Sequence, residues 1–169
     1  MTQFKLRKGL DLPILGAPKA AFADLKSVSS VGIIGQDYND LKPKLSEAEG
    51  DTGVAGTPIL TDKSMPDVQI VSPVAGRVCA INRGARRKLI SVVIDVDEAG
   101  GDPMNFSDVG DSSTRAGIVE RLSASGLWTS FRTRPYSKVP APDSTPIAIY
   151  VAAMDTEPLA ADPRIAITE

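Results

Sequence analysis

Up to Val96 the chain is dominated by short apolar runs, each cut off by Gly, Pro or Asp. Ser30 to Ile34 (SVGII) is a β-branched run that reads as a buried strand, ended by Gly35. Phe4 to Leu6 and Lys42 to Leu45 are weaker strand candidates. Glu49-Gly50-Asp51 reads as a tight turn in which Gly50 can take a positive φ. Val54 opens a strand that Gly56 breaks. Thr57-Pro58 suits an edge or the first residue of a strand, because proline gives no N–H to a ladder. The apolar pair Ile59-Leu60 comes next. Val68 to Val71 alternates with period two, as a half-buried strand does. Pro73 and Gly76 bracket a bend, and Val78 to Ile81 resumes a strand. Asn82-Arg83-Gly84-Ala85 is a hairpin signal, and Leu89 to Val96 (LISVVIDV) is the strongest strand of all. The tandem segments GDTGVAGTPIL and IVSPVAGRVCAI predict a small folded-over β-sheet module.

Past Ala99 to Pro103, a linker by composition, the texture changes. Ser112, Ser113 or Thr114 can cap a helix through Ile118, Val119 and Leu122, which Gly126 would stop. Leu127 to Lys138 is compact, aromatic and basic, and Pro140, Pro142 and Pro146 make a stiff connector after it. Ile147 to Ala153 (IAIYVAA) predicts a strand buried on both faces, with Met154-Asp155-Thr156 just past its end. Ala166 to Thr168 reads as the beginning of another strand. One helix and one such strand do not complete a doubly wound sheet, so the second unit reads as the opening of a larger α/β domain. The expected fold is α+β. Residues 1–101 form the β module and residues 102–169 a partial α/β domain, the whole being an N-terminal piece of a longer protein.

Composition then removes function classes. The chain has 169 residues, a net charge of −2 and no histidine, so a Ser-His-Asp triad or a His-based zinc site cannot be built from it. The near balance of charge gives no field for nucleic acid. The single cysteine, Cys79, excludes an internal disulfide framework and reads as a small core residue. No apolar window reaches the length of a spanning helix or a signal peptide, so the isolated chain is expected to be soluble.

Three stretches could carry chemistry. Lys63, in TDKSMPDVQIVSPVAG, sits where lipoyl carrier domains present their modified lysine, but its spacing to Ser72 is two residues longer than that pattern. A solvated turn lysine on a lipoyl-like scaffold is favoured. Arg83, Arg86, Arg87 and Lys88 form a basic hairpin that can hold an anion or a partner's carboxylates, or simply be a solvated turn. Trp128, Phe131, Arg132, Arg134, Tyr136 and Lys138 gather three of the chain's eight aromatic residues among cations. A flat ring with carbonyl edges could stack there and accept guanidinium hydrogen bonds. Alternatively, Trp128 and Phe131 are the buried face of a short helix. Gly32, Gly35 and Tyr38 form a second, weaker candidate.

The motifs RKGLDLPILGAP, GDTGVAGTPILTDK, SPVAGRVCAINRGARRKLISVVI and SGLWTSFRTRPYSKVPAPDSTPIAIYVAAMDTEPLAADP together resemble the A-subunit of the bacterial sodium-translocating NADH:quinone reductase. The resemblance covers nearly the whole chain. It implies a lipoyl-like barrel-sandwich hybrid β module followed by the opening part of a Rossmann-like α/β domain. It implies a peripheral subunit on the cytoplasmic face of the inner membrane, partnered by the integral-membrane subunits. Its complex would pass electrons from NADH to ubiquinone and export sodium. Ubiquinone is then a substrate of the complex, with no cofactor held covalently here and no catalysis by this chain alone. The expected quinone or partner surface is Phe131 to Lys138, with Ile33 to Leu41 as its second wall.

Overall fold

The computed structural model describes residues 27–152, and within them Ser27–Thr145 form one compact unit. Residues from Pro146 onward belong to a second unit that lies mostly outside the described residues.

Among the described residues seven strands make two sheets. Strands β1 (Ser30–Ile34), β7 (Leu89–Val96), β6 (Gly76–Arg83) and β3 (Thr52–Gly53) are hydrogen-bonded in that spatial order. Strands β2 (Pro43–Leu45), β4 (Pro58–Asp62) and β5 (Met65–Val71) form the other sheet, also in that order. Every pairing is antiparallel. Side chains from both sheets meet in one core of Ile33, Ile59, Leu60, Ile70, Val78, Leu89, Val92 and Ile94. Burial of each such side chain is worth about 1.5–3 kcal/mol, which makes this core the main source of stability. Register shifts after Val78 and Asn82 let β6 follow the twist of β7.

Several expectations change at the edges of this sandwich. Strand β1 exists as predicted but is an edge strand among the described residues, and only Ile33 of its five residues is buried. A β-branched run cannot by itself tell an edge position from a central one. Val54 does not open a strand. The paired residues are Thr52 and Gly53, and Gly56 turns with φ 97°. The β6–β7 reversal comes later than the Asn82 to Ala85 signal, because Arg83 still pairs with Leu89 and the loop is 84–88. Cys79 is exposed rather than buried, since its neighbour Val78 takes the inward position on β6.

Residues 102–145 pack on the β5 side. Helix α1 (Arg115–Ala124) starts at Thr114, whose hydroxyl accepts from the Gly117 N–H at 3.1 Å. It ends at Ser125, with Gly126 left-handed at φ 78°. A Cβ on Gly126 would lie 3.2 Å from Val71 Cγ2, so the chain approaches β5 closely there. The buried positions of α1 are Gly117 and Ser123, whereas Ile118 is exposed and Val119 and Leu122 are half-buried; Gly117 packs against the Gly110–Asp111 turn, where a Cβ would lie 2.2 Å from the Asp111 carbonyl oxygen. The Arg121 guanidinium donates to the carbonyls of Ser107, Val109 and Gly110 at 2.6, 2.8 and 2.9 Å, fixing the preceding loop.

The predicted strand over Ile147 to Ala153 is not formed among the described residues. Ile147, Ile149, Tyr150 and Val151 are exposed and unpaired there. A parallel-type strand needs neighbours on both sides, and the described residues offer none. The remaining candidates, at Phe4 to Leu6, Met154 to Thr156 and Ala166 to Thr168, lie outside the described residues, as does Ala153.

Candidate functional site

Two turns that are far apart in sequence meet beside the β1–β7 edge. The first leaves β1 through Gly35–Asp37, a single 3-10 turn. Gly35 is required by packing: a Cβ there would sit 2.4 Å from the Leu89 carbonyl oxygen. This close approach brings Tyr38 down onto the core, where it is partly buried. Burial pushes the Tyr38 phenol above its usual value. Asp37 adds to the rise, and the Arg132 cation opposes it. The phenol is therefore a hydrogen-bond donor throughout the neutral range.

The second turn, after a 3-10 segment Leu127–Ser130, is closed by its own backbone. Thr133 N–H donates to Lys138 O and Ser137 N–H to Thr133 O, both at 2.8 Å. Asn39 ties the two turns together. Its Nδ2 donates to the carbonyls of Tyr136 and Ser137 at 3.4 and 3.1 Å. Asp40, left-handed at φ 62°, forms an ion pair with Lys138, the only one among the described residues. Hydrogen bonding to Lys138, then its charge, holds the Asp40 carboxyl below the ordinary carboxylate range.

Between the first turn and the base of the β6–β7 hairpin runs an open groove of about 190 Å³, lined by Gly35, Tyr38, Asp40, Pro43, Lys88 and Leu89, among others. That is below the usual 300–1,000 Å³ of a small-molecule site, so it has room for a ring rather than a long ligand. The groove thus takes in Gly35 and Tyr38, while Lys138 joins from outside its lining through Asp40 and brings the turn carrying Arg132 alongside. Arg132 Nη1 donates to the carbonyls of Phe131 and Thr129, which fixes the guanidinium close to its own turn.

The other sequence candidates divide. Trp128 is buried and its Nε1 donates to Pro140 O at 2.8 Å, so it is a packing residue. Phe131 leans on it with ring centroids 5.1 Å apart but keeps an exposed face. Arg134 and Tyr136 are exposed, and only the Tyr136 backbone takes part in the junction. Arg83, Arg86 and Arg87 stand at the β6–β7 tip, with Lys88 reaching the groove. Lys63 is exposed at the first position of the two-residue β4–β5 turn. Gly32 is exposed on β1, away from the groove lining. Cys79 carries a thiol raised by desolvation and then by Asp95, which makes it a poor nucleophile. Sequence reasoning included Asn39 and Asp40 in the 33–41 wall but missed their role as its tie to residues 136–138. The available signal was an Asn-Asp pair in a polar turn, a pattern that favours left-handed backbone.

Among the described residues no group of three or more His, Cys, Asp or Glu is placed to hold a metal ion. No helix among them is long and apolar enough to cross a membrane.

Residues 4–97 match the NqrA N-terminal barrel-sandwich hybrid domain, and residues 113–169 match the NqrA second alpha/beta domain. The A-subunit of a Na(+)-translocating NADH-quinone reductase from Saccharophagus degradans is 48% identical over 98% of this chain and 37% of its own length. The protein of the same name from Serratia proteamaculans is 46% identical, over 98% of this chain and 38% of its own length. The chain thus spans under two fifths of these curated relatives. Two family domains matched in order along most of the sequence, over a described sandwich of antiparallel sheets, settle the kinship: this chain belongs to the NqrA family, the A-subunits of Na(+)-translocating NADH-quinone reductases.

Proposed function

We propose that this chain contributes a quinone-binding surface to a sodium-translocating NADH:quinone reductase. In this reading it is a peripheral part, at the cytoplasmic face of the bacterial inner membrane and against the integral-membrane subunits. It binds and orients, while the electrons come from elsewhere in the assembly. We divide it into a β module over residues 1–101 and an α/β part over residues 102–169.

The observation that supports this most is the junction made by Asn39, Asp40 and Lys138, which ties the turn carrying Tyr38 to the turn carrying Arg132. A quinone ring is flat, apolar and bears carbonyl oxygens on opposite edges. A protonated phenol and a guanidinium each offer a donor to such an oxygen, and the exposed face of Phe131 offers a stacking surface. A photoreactive ubiquinone analogue added to the assembled complex should label peptides from 33–41 and 131–138. Labelling of neither would sink the reading. Tyr38→Phe and Arg132→Ala should each weaken quinone affinity about five- to tenfold, the worth of roughly one hydrogen bond.

A second reading is a purely structural assembly module. It predicts that Arg132→Ala with Arg134→Ala alters assembly and leaves quinone affinity unchanged. The hairpin-tip position of Lys63 is the one observation favouring a lipoyl carrier. An unmodified intact mass from a lipoylation-competent host ends that idea.

A further inference from the structure

The β6–β7 tip is built in a way a simple chain reversal does not need. Hairpins that only turn the chain use Asn-Gly or Gly-rich loops, because such turns call for positive φ. Here the positive-φ positions are Arg86 and Arg87, at 54° and 60°. Side chains with a Cβ rarely adopt that conformation, and such strain persists where the surroundings fix it. The surroundings do so here. Gly84 N–H donates to Lys88 O at 2.8 Å, Arg87 N–H to Gly84 O at 3.1 Å, and Arg83 Nη1 to Arg87 O at 3.2 Å. The tip is therefore a preformed loop that presents cations, and none of Arg83, Arg86, Arg87 or Lys88 meets a carboxylate among the described residues. Ile90, beside Gly84, adds an apolar contact that is 47% exposed.

We infer that the 83–88 loop is a docking surface for a carboxylate-rich face of another polypeptide in the assembly, an inference that rests on reading the chain as part of a multi-subunit complex. Three of the four cations are arginines on a fixed backbone, which suits bidentate pairing with planar carboxylates. Attraction to an anionic lipid surface needs neither the fixed shape nor arginine over lysine.

The test uses the full-length protein together with the complex lacking it. Arg86→Glu with Arg87→Glu should weaken association at least about tenfold and flatten its dependence on salt. Arg86→Gly with Arg87→Gly should weaken it too, while raising the melting temperature by relieving the backbone, so misfolding cannot explain the loss. Association within about twofold of wild type in both variants overturns the inference. So does unchanged assembly together with arginine-dependent binding to phosphatidylglycerol vesicles at about 150 mM salt, because the partner is then lipid. Quinone affinity measured on the same samples separates the two proposals. If the wild type binds no quinone but the glutamate pair still loses association, the quinone reading fails and this one stands.

Discussion

The sandwich and the segment after it are held by different forces. Between the sheets, buried Ile, Leu and Val side chains close a core with few polar atoms. In residues 102–145, the order comes from arginine–carbonyl bonds, a helix cap, a glycine approach and one buried tryptophan. The first kind of order is cooperative and rests on apolar contacts that do not titrate. The second is a set of separable fastenings, each removable by one substitution.

Breaking the sandwich should therefore have the largest effect. Leu60 is fully buried between the sheets, and Leu60→Ala should cost about 2–5 kcal/mol in equilibrium unfolding. Arg121→Ala removes three charge-assisted bonds to backbone carbonyls and should cost about 2 kcal/mol. Its hydrogen-exchange signature should be faster exchange confined to the 103–125 stretch. Exchange spreading evenly over β6 and β7 would merge the two regions into one cooperative unit. Ser123 is buried with no hydrogen-bond partner for its hydroxyl among the described residues, so Ser123→Ala should stabilise, by about 1 kcal/mol. A lowered melting temperature would contradict the packing described for α1.

Acid gives the smallest and most diagnostic effect. Asp40 and Asp111 have carboxyls held below the ordinary range, Asp40 chiefly by hydrogen bonding to Lys138 and Asp111 chiefly by the Ser113 backbone N–H. A depressed carboxylate stabilises the fold above its unfolded value, and the contribution is lost as pH falls through the lower folded value. Glu47, in the sandwich, is shifted the opposite way, first by desolvation and then by Asp51. Its ionisation therefore disfavours the folded state as pH rises past the ordinary carboxylate range. Asp40→Asn with Asp111→Asn should flatten the acid side of a melting-temperature profile, and Glu47→Gln should flatten the side just above it. Profiles that superimpose on wild type would remove both ionisation effects.

The sandwich was legible because its signals are local. The alternation in β5, the apolar run of β7, and the Gly and Pro breaks at Gly50, Pro58 and Gly76 lie within a few residues of the turns and strands they control. The exposure of β1 and of Ile147 to Val151 was not legible, since a run of apolar residues does not say whether a neighbouring strand exists. The candidate site was half legible. Aromatic and basic density marked residues 131–138, and Gly32, Gly35 and Tyr38 marked a weaker second wall over 33–41. The link between them is the Asn39 amide, bonding across 97 positions, and no spacing rule reaches that far. The inward positions of α1 were missed because Gly117 and Ser123 carry no hydrophobic signal.

Trp128 is the chain's sole tryptophan. It is sealed on Pro140, touches Phe131, and has no counterpart in the sandwich. Tryptophan fluorescence of this chain therefore reports first on the segment after the sandwich and its seat on β5, while circular dichroism is weighted toward the strands. Divergent melting curves from the two optical signals would reveal stepwise loss of order without any label or substitution. A quinone settling near Phe131 would quench the indole emission directly.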